Sequence, residues 1–169
     1  MRSTTAIFLV ASAALIWLGQ AGSFAKDVDP IRITIAHFDF VDTSGEVQDQ
    51  TAKHEKLLRL FEEHLQKTFG EDGRLEIVPM PCSSGRCSLA DPGLGQLKSQ
   101  ARTVNARYIL AGGIHKMSTL IGWAKFVVVD LENDGRICDR LLTYRGDTPE
   151  AWRRSAEFGG KDVIKTCFP

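Results

Sequence analysis

The residues best suited to chemistry in this chain are its four histidines. None of them belongs to an H-E-x-x-H or C-x-x-C arrangement, the spacings that commonly hold zinc. His54 and His64 are ten residues apart on one predicted helix, about 15 Å at 1.5 Å per residue, which is too far to share a metal ion. His37 and His115 stand alone. The sequence therefore predicts no metal site, and we interpret the histidines as structural or exposed.

Carboxylates cluster in the segment after the first predicted strand, at Asp39, Asp42 and Glu46. Loops at strand ends often hold binding and catalytic residues, so this segment could bind a cation or a small ligand, or act as the acid and base of an enzyme. Asp, Ser, Thr and Gly are also the residues of ordinary turns. We favour the turn, and we keep ligand binding, metal binding or catalysis by the Asp39–Glu46 loop as the alternative function.

Nucleophile and cofactor motifs are missing from the sequence. Gly112-Gly113 lies within a predicted strand, whereas a phosphate-binding glycine loop joins a strand to a helix. Ser118 lacks the strand-turn-helix context of a nucleophile elbow. The sequence thus predicts a protein with no catalytic residue and no cofactor.

Residues 1–25 have the features of an export signal. Arg2 provides a positive start, Ala6–Leu18 is an uncharged apolar run, and Ser23-Phe24-Ala25 supplies the small residues that signal peptidase recognises. The run is too short to favour a membrane-spanning helix, although an uncleaved anchor is the alternative. We predict cleavage near Ala25 and one periplasmic or secreted domain over residues 26–169, with no membrane span.

The charge balance does not favour a polyanionic partner. The chain has 21 basic and 21 acidic residues, so loss of Arg2 with the leader leaves a net charge of −1. Such a balance favours neither nucleic acid nor an anionic membrane surface. We therefore predict that any macromolecular partner is a protein.

All four cysteines follow the predicted leader. An even number behind an export signal favours disulfides over metal ligands or free thiols. Four cysteines allow three pairings, of which we favour Cys82 with Cys87, around a short loop, and Cys138 with Cys167, which would tie the tail to the sheet. A redox role for Cys82 and Cys87 is the alternative, but C-x-x-x-x-C lacks the spacing of thioredoxin-like sites.

Three successive antiparallel strands are predicted over Arg107–Gly146. Their ranges are Tyr108–Lys116, about Trp123–Leu131 and Arg136–Tyr144. Asn133-Asp134-Gly135 tolerates positive φ and forms the tight turn between the last two strands. This run is the most clearly patterned part of the chain.

The elements around this run alternate between strand and helix. Apolar residues spaced by three and four predict a helix of about 19 residues that starts at Thr51 and is stopped by Gly70. Asp39–Gln50 is predicted to be a loop. The remaining elements are a strand over Ile31–Phe38, a strand over Arg74–Pro79, a helix over Leu94–Asn105 and a last helix that begins at Thr148-Pro149. The order β-α-β-α-β-β-β-α predicts an α/β (α+β) fold, a mixed sheet with helices packed on it in two or three layers.

The stretch Lys116–Trp123 is the best candidate for a partner-binding surface. Its large apolar residues lie close to a strand connection, and exposed apolar patches that contain Trp often mark interfaces. Burial in the core is the alternative. A second candidate surface lies near the start of the last helix. The predicted contact residues are Lys116, Met117, Leu120, Ile121, Trp123, Arg145 and Trp152.

Three segments resemble periplasmic domains related to the amino-terminal domain of TolB and to CsgG. Asn105–Ile114 resembles their step from a helix through a strand to a glycine, Val129–Gly135 resembles their valine-aspartate-x-x-x-glycine hairpin, and Ile35–Phe40 resembles their first strand. The resemblance implies the same kind of mixed sheet. It also implies a non-catalytic interaction module that assists assembly or regulation of another envelope protein.

Two further segments resemble a family of small secreted bacterial proteins of unknown function. They are Lys116–Ile121 and Arg145–Trp152, and Cys82–Cys87 lies where that family has a cysteine pair. The resemblance spans Ile31–Phe158 and implies the fold but no activity. It implies, as a variant, an accessory role in a periplasmic dehydrogenase system. The identity of the partner and the oligomeric state stay open.

Overall fold

Strand β4 (Tyr108–Lys116) lies in the middle of a six-stranded mixed sheet. The computed structural model describes residues 29–82 and 85–168, so the predicted export signal lies outside the described residues. The other strands are β1 (Ile31–Ile35), β2 (Asp39–Asp42), β3 (Leu75–Ile77), β5 (Ile121–Asp130) and β6 (Gly135–Arg145), and the helices are α1 (Thr51–Gly70), α2 (Leu94–Thr103) and α3 (Pro149–Cys167).

The strands lie in the order β3-β1-β4-β5-β6, and β2 continues beside β4 beyond the end of β1. β1 is parallel to β3 and β4, and β2 is parallel to β4. β4, β5 and β6 are antiparallel neighbours. This topology confirms the predicted mixed sheet and its three successive antiparallel strands.

Strand β2 corrects the prediction that Asp39–Gln50 is all loop. The predicted first strand, Ile31–Phe38, in fact ends at Ile35. The amide of His37 donates to the carbonyl of Cys87, and the amide of Phe38 donates to the Glu62 carboxylate, so the backbone leaves β4 at these residues. Pairing with β4 resumes at Asp39. The interruption depends on contacts distant in sequence, which the local pattern could not reveal.

Helices α1 and α3 cover one face of the sheet with a core rich in aromatic residues. Phe38 lies with its ring centroid 5.3 Å from that of Phe61 and 5.6 Å from that of Phe126. The glycine pair Gly159-Gly160 lies inside α3 and does not end the helix. A side chain at Gly159 would collide with the Phe126 ring, 2.4 Å from its Cζ, so the glycine lets the helix approach the sheet closely.

Helix α2 covers the other face, but only in part. Leu97 and Ala101 pack with Ile109 and Val129 in a second core, at the start of β4 and the end of β5. Toward the turn between β4 and β5 this face has no helix over it among the described elements. Both predicted disulfides are present, Cys82–Cys87 and Cys138–Cys167, and the second ties α3 to β6.

Thr148 caps α3 as predicted, because its side-chain oxygen accepts a hydrogen bond from the amide of Ala151 at 3.3 Å. Pro149 occupies the first helical position. Within residues 29–82 and 85–168, no helix is long and apolar enough to cross a membrane.

Candidate functional site

A cluster of charged residues with a buried centre lies where β2 and β4 end, against the starts of α1 and α3. Lys116 is the last residue of β4, His54 lies in the first turn of α1, and Asp147 lies two residues before the start of α3. Lys116 and His54 are each only 3% exposed. The cluster, which we call the charge cluster, consists of Asp42, Glu46, Lys53, His54, Lys116 and Asp147.

Asp147 accepts contacts from four side chains. Its Oδ2 atom lies 2.6 Å from Lys53 Nζ, 3.0 Å from His54 Nε2 and 3.3 Å from Lys116 Nζ. Its Oδ1 atom accepts a hydrogen bond from the indole N–H of Trp152 at 3.1 Å. Burial alone would raise the pKa of Asp147, but the hydrogen bonds from Lys53 and His54 hold it well below the usual range. The carboxylate is therefore ionised.

The predicted carboxylate loop supplies the remaining members of the charge cluster. Lys116 forms an ion pair with Glu46, and Asp42 Oδ2 lies 3.8 Å from both Lys116 Nζ and His54 Nδ1. Burial disfavours the charged amine, yet hydrogen bonds to Glu46 and Asp147 raise the pKa of Lys116 above its usual value. The lysine is a cation surrounded by carboxylates.

The carboxylates of the Asp39–Glu46 loop all contact other groups of the same chain. Asp39 accepts a hydrogen bond from Ser88 Oγ at 2.5 Å and another from the Ala90 amide at 3.0 Å. The ammonium group of Lys116 lies beside Glu46 and Asp42. It therefore takes the position that a cation bound by these two carboxylates would occupy. Over the described ranges, no three or more His, Cys, Asp or Glu side chains are grouped so that they could hold a metal ion. The cluster can hold four chain segments together, which are the loop after β2, the start of α1, the end of β4 and the segment before α3.

The other three histidines do not converge with His54. His37 Nδ1 lies 3.1 Å from Glu62, His64 Nδ1 lies 3.2 Å from Glu157, and His115 Nε2 lies 2.7 Å from Thr43 Oγ1. Each has a different partner on a different part of the fold. These contacts join neighbouring elements, and the three histidines do not converge on one site.

A groove of about 440 Å³ opens beside the charge cluster, between the start of α1 and strand β2. Phe40 and Leu58 contribute apolar surface to it, His54 and Asp42 line it from the cluster, and Arg86 lies at its border. The Phe40 and His54 rings are 4.8 Å apart. The groove is concave, partly aromatic and bordered by charges of both signs, which are properties of small-molecule sites.

The turn between β4 and β5 exposes apolar side chains, as the sequence suggested. Leu120 is 65% exposed, Met117 38% and Ile121 37%. Trp123 is half-buried and its ring meets His115 edge-on, with centroids 5.9 Å apart. Arg145, opposite Ile121 on β6, is exposed.

Two of the seven predicted contact residues are buried, and this corrects their assignment. Trp152 is fully buried against Phe61, with centroids 6.4 Å apart, because the helical repeat of α3 turns it into the core. Lys116 is buried in the charge cluster. Neither side chain can contact a partner directly, so we leave both out of the surface.

Two exposed apolar residues that the sequence interpretation missed extend this surface. Val41 is 52% exposed and Leu141 is 57% exposed. Register places Val41 beside His115, His115 beside Trp123, and Leu141 beside Lys125, all on the face that α2 leaves open. The alternation of more buried and more exposed side chains along β6 could have indicated that Leu141 is exposed. The combined surface, which we call the apolar patch, consists of Val41, Met117, Leu120, Ile121, Trp123 and Leu141.

The fold and site together define a small mixed-sheet α/β domain with a charge cluster around the buried Lys116 and an exposed apolar patch. The chain belongs to the family DUF3280, described as "Protein of unknown function (DUF2380)", whose model matches residues 32–164. No curated protein matches the sequence.

Solved structures align with this chain at low sequence identity. TolB from Acinetobacter baumannii is 12% identical with a TM-score of 0.52, over 84% of this chain and 30% of TolB. A PelC dodecamer from Paraburkholderia phytofirmans is 13% identical with a TM-score of 0.47, over 80% of this chain and 86% of that chain. The LpoB carboxy-terminal domain from Salmonella enterica is 14% identical with a TM-score of 0.45, over 70% and 86%. The TolB likeness confirms the predicted fold relationship and shows the fold alone.

Proposed function

We propose that this protein is a non-catalytic interaction module of the cell envelope, which binds another envelope protein through the apolar patch. The observation that carries the proposal is the exposure of Leu120 and its neighbours at the turn between β4 and β5. Large apolar side chains grouped on an open face are typical of protein interfaces. The predicted export signal and the TolB-like fold support an envelope location.

The chemistry of the patch favours a protein partner over a small ligand. The side chains lie on a strand turn and on a sheet face. Trp123 is among them, and tryptophan is one of the residue types enriched at the energetic centre of interfaces. Arg145 borders the patch and could pair with a carboxylate of the partner. The charge cluster lies behind this surface, where Lys116 holds the end of β4 in place.

Site-specific photo-crosslinking in growing cells tests the proposal. A photoreactive residue at Leu120 should give one cross-linked product of defined mass, because this side chain is the most exposed large apolar side chain of the turn. The matched control is Val47, which is fully exposed in the loop before α1 and should give none. Leu120→Asp should abolish recovery of the partner while Val47→Asp leaves it. Equal labelling at both positions, or none at Leu120, would contradict the proposal.

Finer statements about this function depend on the sequence resemblance. We place the mature domain in the periplasm, and a fusion to a phosphatase that is active only after export tests that location. We also extend the fold relationship to CsgG and keep an accessory role in a periplasmic dehydrogenase system as a variant. Identification of the cross-linked partner distinguishes a dehydrogenase subunit from other envelope proteins.

A second candidate function is small-ligand binding in the groove between α1 and β2. The favouring observation is a concavity of about 440 Å³ with Phe40 and Leu58 on its wall. Native mass spectrometry of the exported protein should then show a bound small molecule that Leu58→Glu removes. Calorimetric titration with calcium or zinc tests the metal variant, and no heat at millimolar metal would exclude it.

A further inference from the structure

Strand β6 is an open edge of the sheet. It has 11 residues, more than any other described strand, and β5 is its only strand neighbour among the described residues. The opposite edge, β3, has only three residues. A long unpaired edge offers a row of backbone donors and acceptors to another strand. The end of the sheet at β6 is therefore the place where strand addition would be possible.

The hydrogen bonds at the β4–β5 turn fix which backbone groups of β6 point outward. The amide of Met117 donates to Ile121 O at 2.9 Å, so Ile121 faces β4 and Gly122 faces β6. The amide of Gly146 donates to Leu120 O at 2.8 Å, so the backbone groups of Leu120 and Gly146 face each other. This contact gives the same alternation of inward-facing and outward-facing residues. Because the groups alternate in an antiparallel ladder, Tyr144, Leu142 and Arg140 face β5. The residues that face outward are Asp139, Leu141, Thr143 and Arg145.

Charged side chains usually protect an edge strand from pairing, but those of β6 are self-complementary. In antiparallel pairing of two copies about a two-fold axis at Leu142, Asp139 of each copy lies opposite Arg145 of the other. Leu141 then lies opposite Thr143, and Arg140 lies opposite Tyr144. Opposite charges on facing strands stabilise a pair. Centring the axis on Arg140 instead would place two arginines opposite each other.

Exposed apolar groups lie on both sides of this edge. Leu141, 57% exposed, projects on the open face. On the other face, Phe158 of α3 is 62% exposed and borders a groove of about 480 Å³ between α3 and β6, which Leu142 and Tyr144 also line. A second copy paired along β6 would cover these side chains as well as the backbone.

We propose that the protein forms a symmetric homodimer by antiparallel pairing of two β6 strands in the register centred on Leu142. The inference goes beyond the proposed function, because it concerns self-association at a sheet edge and does not need an envelope partner. Of the apolar patch, only Leu141 lies on β6. Leu120, whose exposure carries the proposed function, lies at the far end of β5 from the β5–β6 turn and contributes no backbone to the pairing.

Charge reversal and its compensation test the register. Sedimentation equilibrium of the purified exported protein should show a concentration-dependent species of twice its monomer mass. Asp139→Arg and Arg145→Asp should each raise the dimer Kd by roughly tenfold, because each places two like-charge pairs across the axis. The double variant Asp139→Arg/Arg145→Asp should return the Kd to within about threefold of the parent.

Two controls separate the dimer contact from intrachain effects. Asp139 forms an ion pair with Lys125, so Lys125→Gln removes that pair without altering the edge and should leave the Kd unchanged. Glu63→Arg changes the charge of an exposed residue on α1 and should also have no effect. The milder variants Asp139→Asn and Arg145→Gln should weaken the dimer by smaller factors if either reversal perturbs folding.

The proposal fails if the chain stays monomeric up to about millimolar concentration, the range of weak self-association, and the edge would then be free for a strand of a different protein. It also fails if a dimer forms whose Kd is unchanged by both charge reversals, or if the Kd of the double variant is as high as that of the single variants. The absence of a cross-link at Leu120 would contradict the proposed function but would not change the dimer Kd. The two proposals can therefore fail separately.

Discussion

The ammonium group of Lys116 lies 3.3 Å from the carboxylate of Asp147, although one residue ends β4 and the other precedes α3. Glu46, 70 residues before Lys116, completes the contact from the loop after β2. One buried cation thus joins the loop, the central strand and the start of the last helix. Contacts of this kind hold elements in place that are far apart along the chain.

Removal of this cation should destabilise the fold strongly. Lys116→Met keeps the length of the side chain but leaves Glu46 and Asp147 as neighbouring carboxylates without their counterion. Breaking a buried ion pair on one side typically costs about 3–5 kcal/mol, and we expect a loss of about 3 kcal/mol in the free energy of unfolding, measured with urea. Lys125→Met, on the adjacent strand and in a half-exposed pair with Asp139, is the matched control, with an expected loss below about 1 kcal/mol. Equal losses would contradict a structural role for the charge cluster.

Two carboxylates whose pKa values are strongly lowered, Asp130 and Asp147, should contribute to a loss of stability in acid. Burial opposes ionisation of Asp130, but hydrogen bonds from Arg107 and the Glu132 amide lower its pKa to about 2. The pKa of Asp147 is held below its usual range as well. A folded-state pKa below the unfolded value, about 3.9, means that the stabilisation is present above that value and is lost as the pH falls through the folded pKa. The free energy of unfolding should therefore fall between about pH 4 and pH 2.

Asparagine substitutions check this pH dependence. Asp147→Asn and Asp130→Asn should each lower the free energy of unfolding at neutral pH and reduce its decrease between pH 4 and pH 2. Asp49→Asn is a control at an exposed residue, whose carboxylate accepts hydrogen bonds only from neighbouring Thr51. If the free energy of unfolding falls between pH 4 and pH 2 as steeply in both variants as in the parent, other groups cause the loss of stability in acid.

Much of the fold was predictable because local patterns agree with the tertiary structure. The α1 range, Thr51–Gly70, follows from apolar spacing, and the β5–β6 turn follows from residues that accept positive φ, as Asp134 does at 53°. The cap at Thr148 was visible from its residue type. In these segments the chain needs no distant partner to choose its conformation.

The site was less predictable because its contacts are distant in sequence. His54 and Asp147 are 93 residues apart, and no sequence motif indicates that they are in contact. One signal was present: Lys116 has the same strand parity as Leu110 and Ile114, which are core residues. Strict alternation would have indicated that Lys116 is buried, and the helical repeat that links Trp152 to Ala156 would have done so for Trp152.

The two disulfides should differ in their contribution to stability. Cys138 and Cys167 are 29 residues apart, whereas Cys82 and Cys87 are separated by five. On the chain-entropy estimate the longer loop is worth about 3.5 kcal/mol and the shorter about 2 kcal/mol. Serine substitution of both cysteines of a pair should therefore lower the free energy of unfolding more for Cys138–Cys167. A larger loss from Cys82→Ser/Cys87→Ser would show that native contacts of that loop outweigh loop entropy.

Gly159 and Gly95 should respond in opposite directions to the same substitution. Both lie in helices, and alanine there gains about 0.4–1 kcal/mol by restricting the unfolded chain. A Cβ on Gly95 of α2 meets nothing within 4 Å, so Gly95→Ala should stabilise the protein by that amount. A Cβ on Gly159 of α3 would lie 2.4 Å from Cζ of Phe126, a ring fully enclosed by Phe38 and Phe61. Overpacking of this kind costs about 1–3 kcal/mol, which exceeds the gain, so Gly159→Ala should destabilise by about 1–2 kcal/mol in urea unfolding. Stabilisation by both changes would mean that α3 can move away from the sheet without loss, and the close approach that the glycine permits would then have no energetic role.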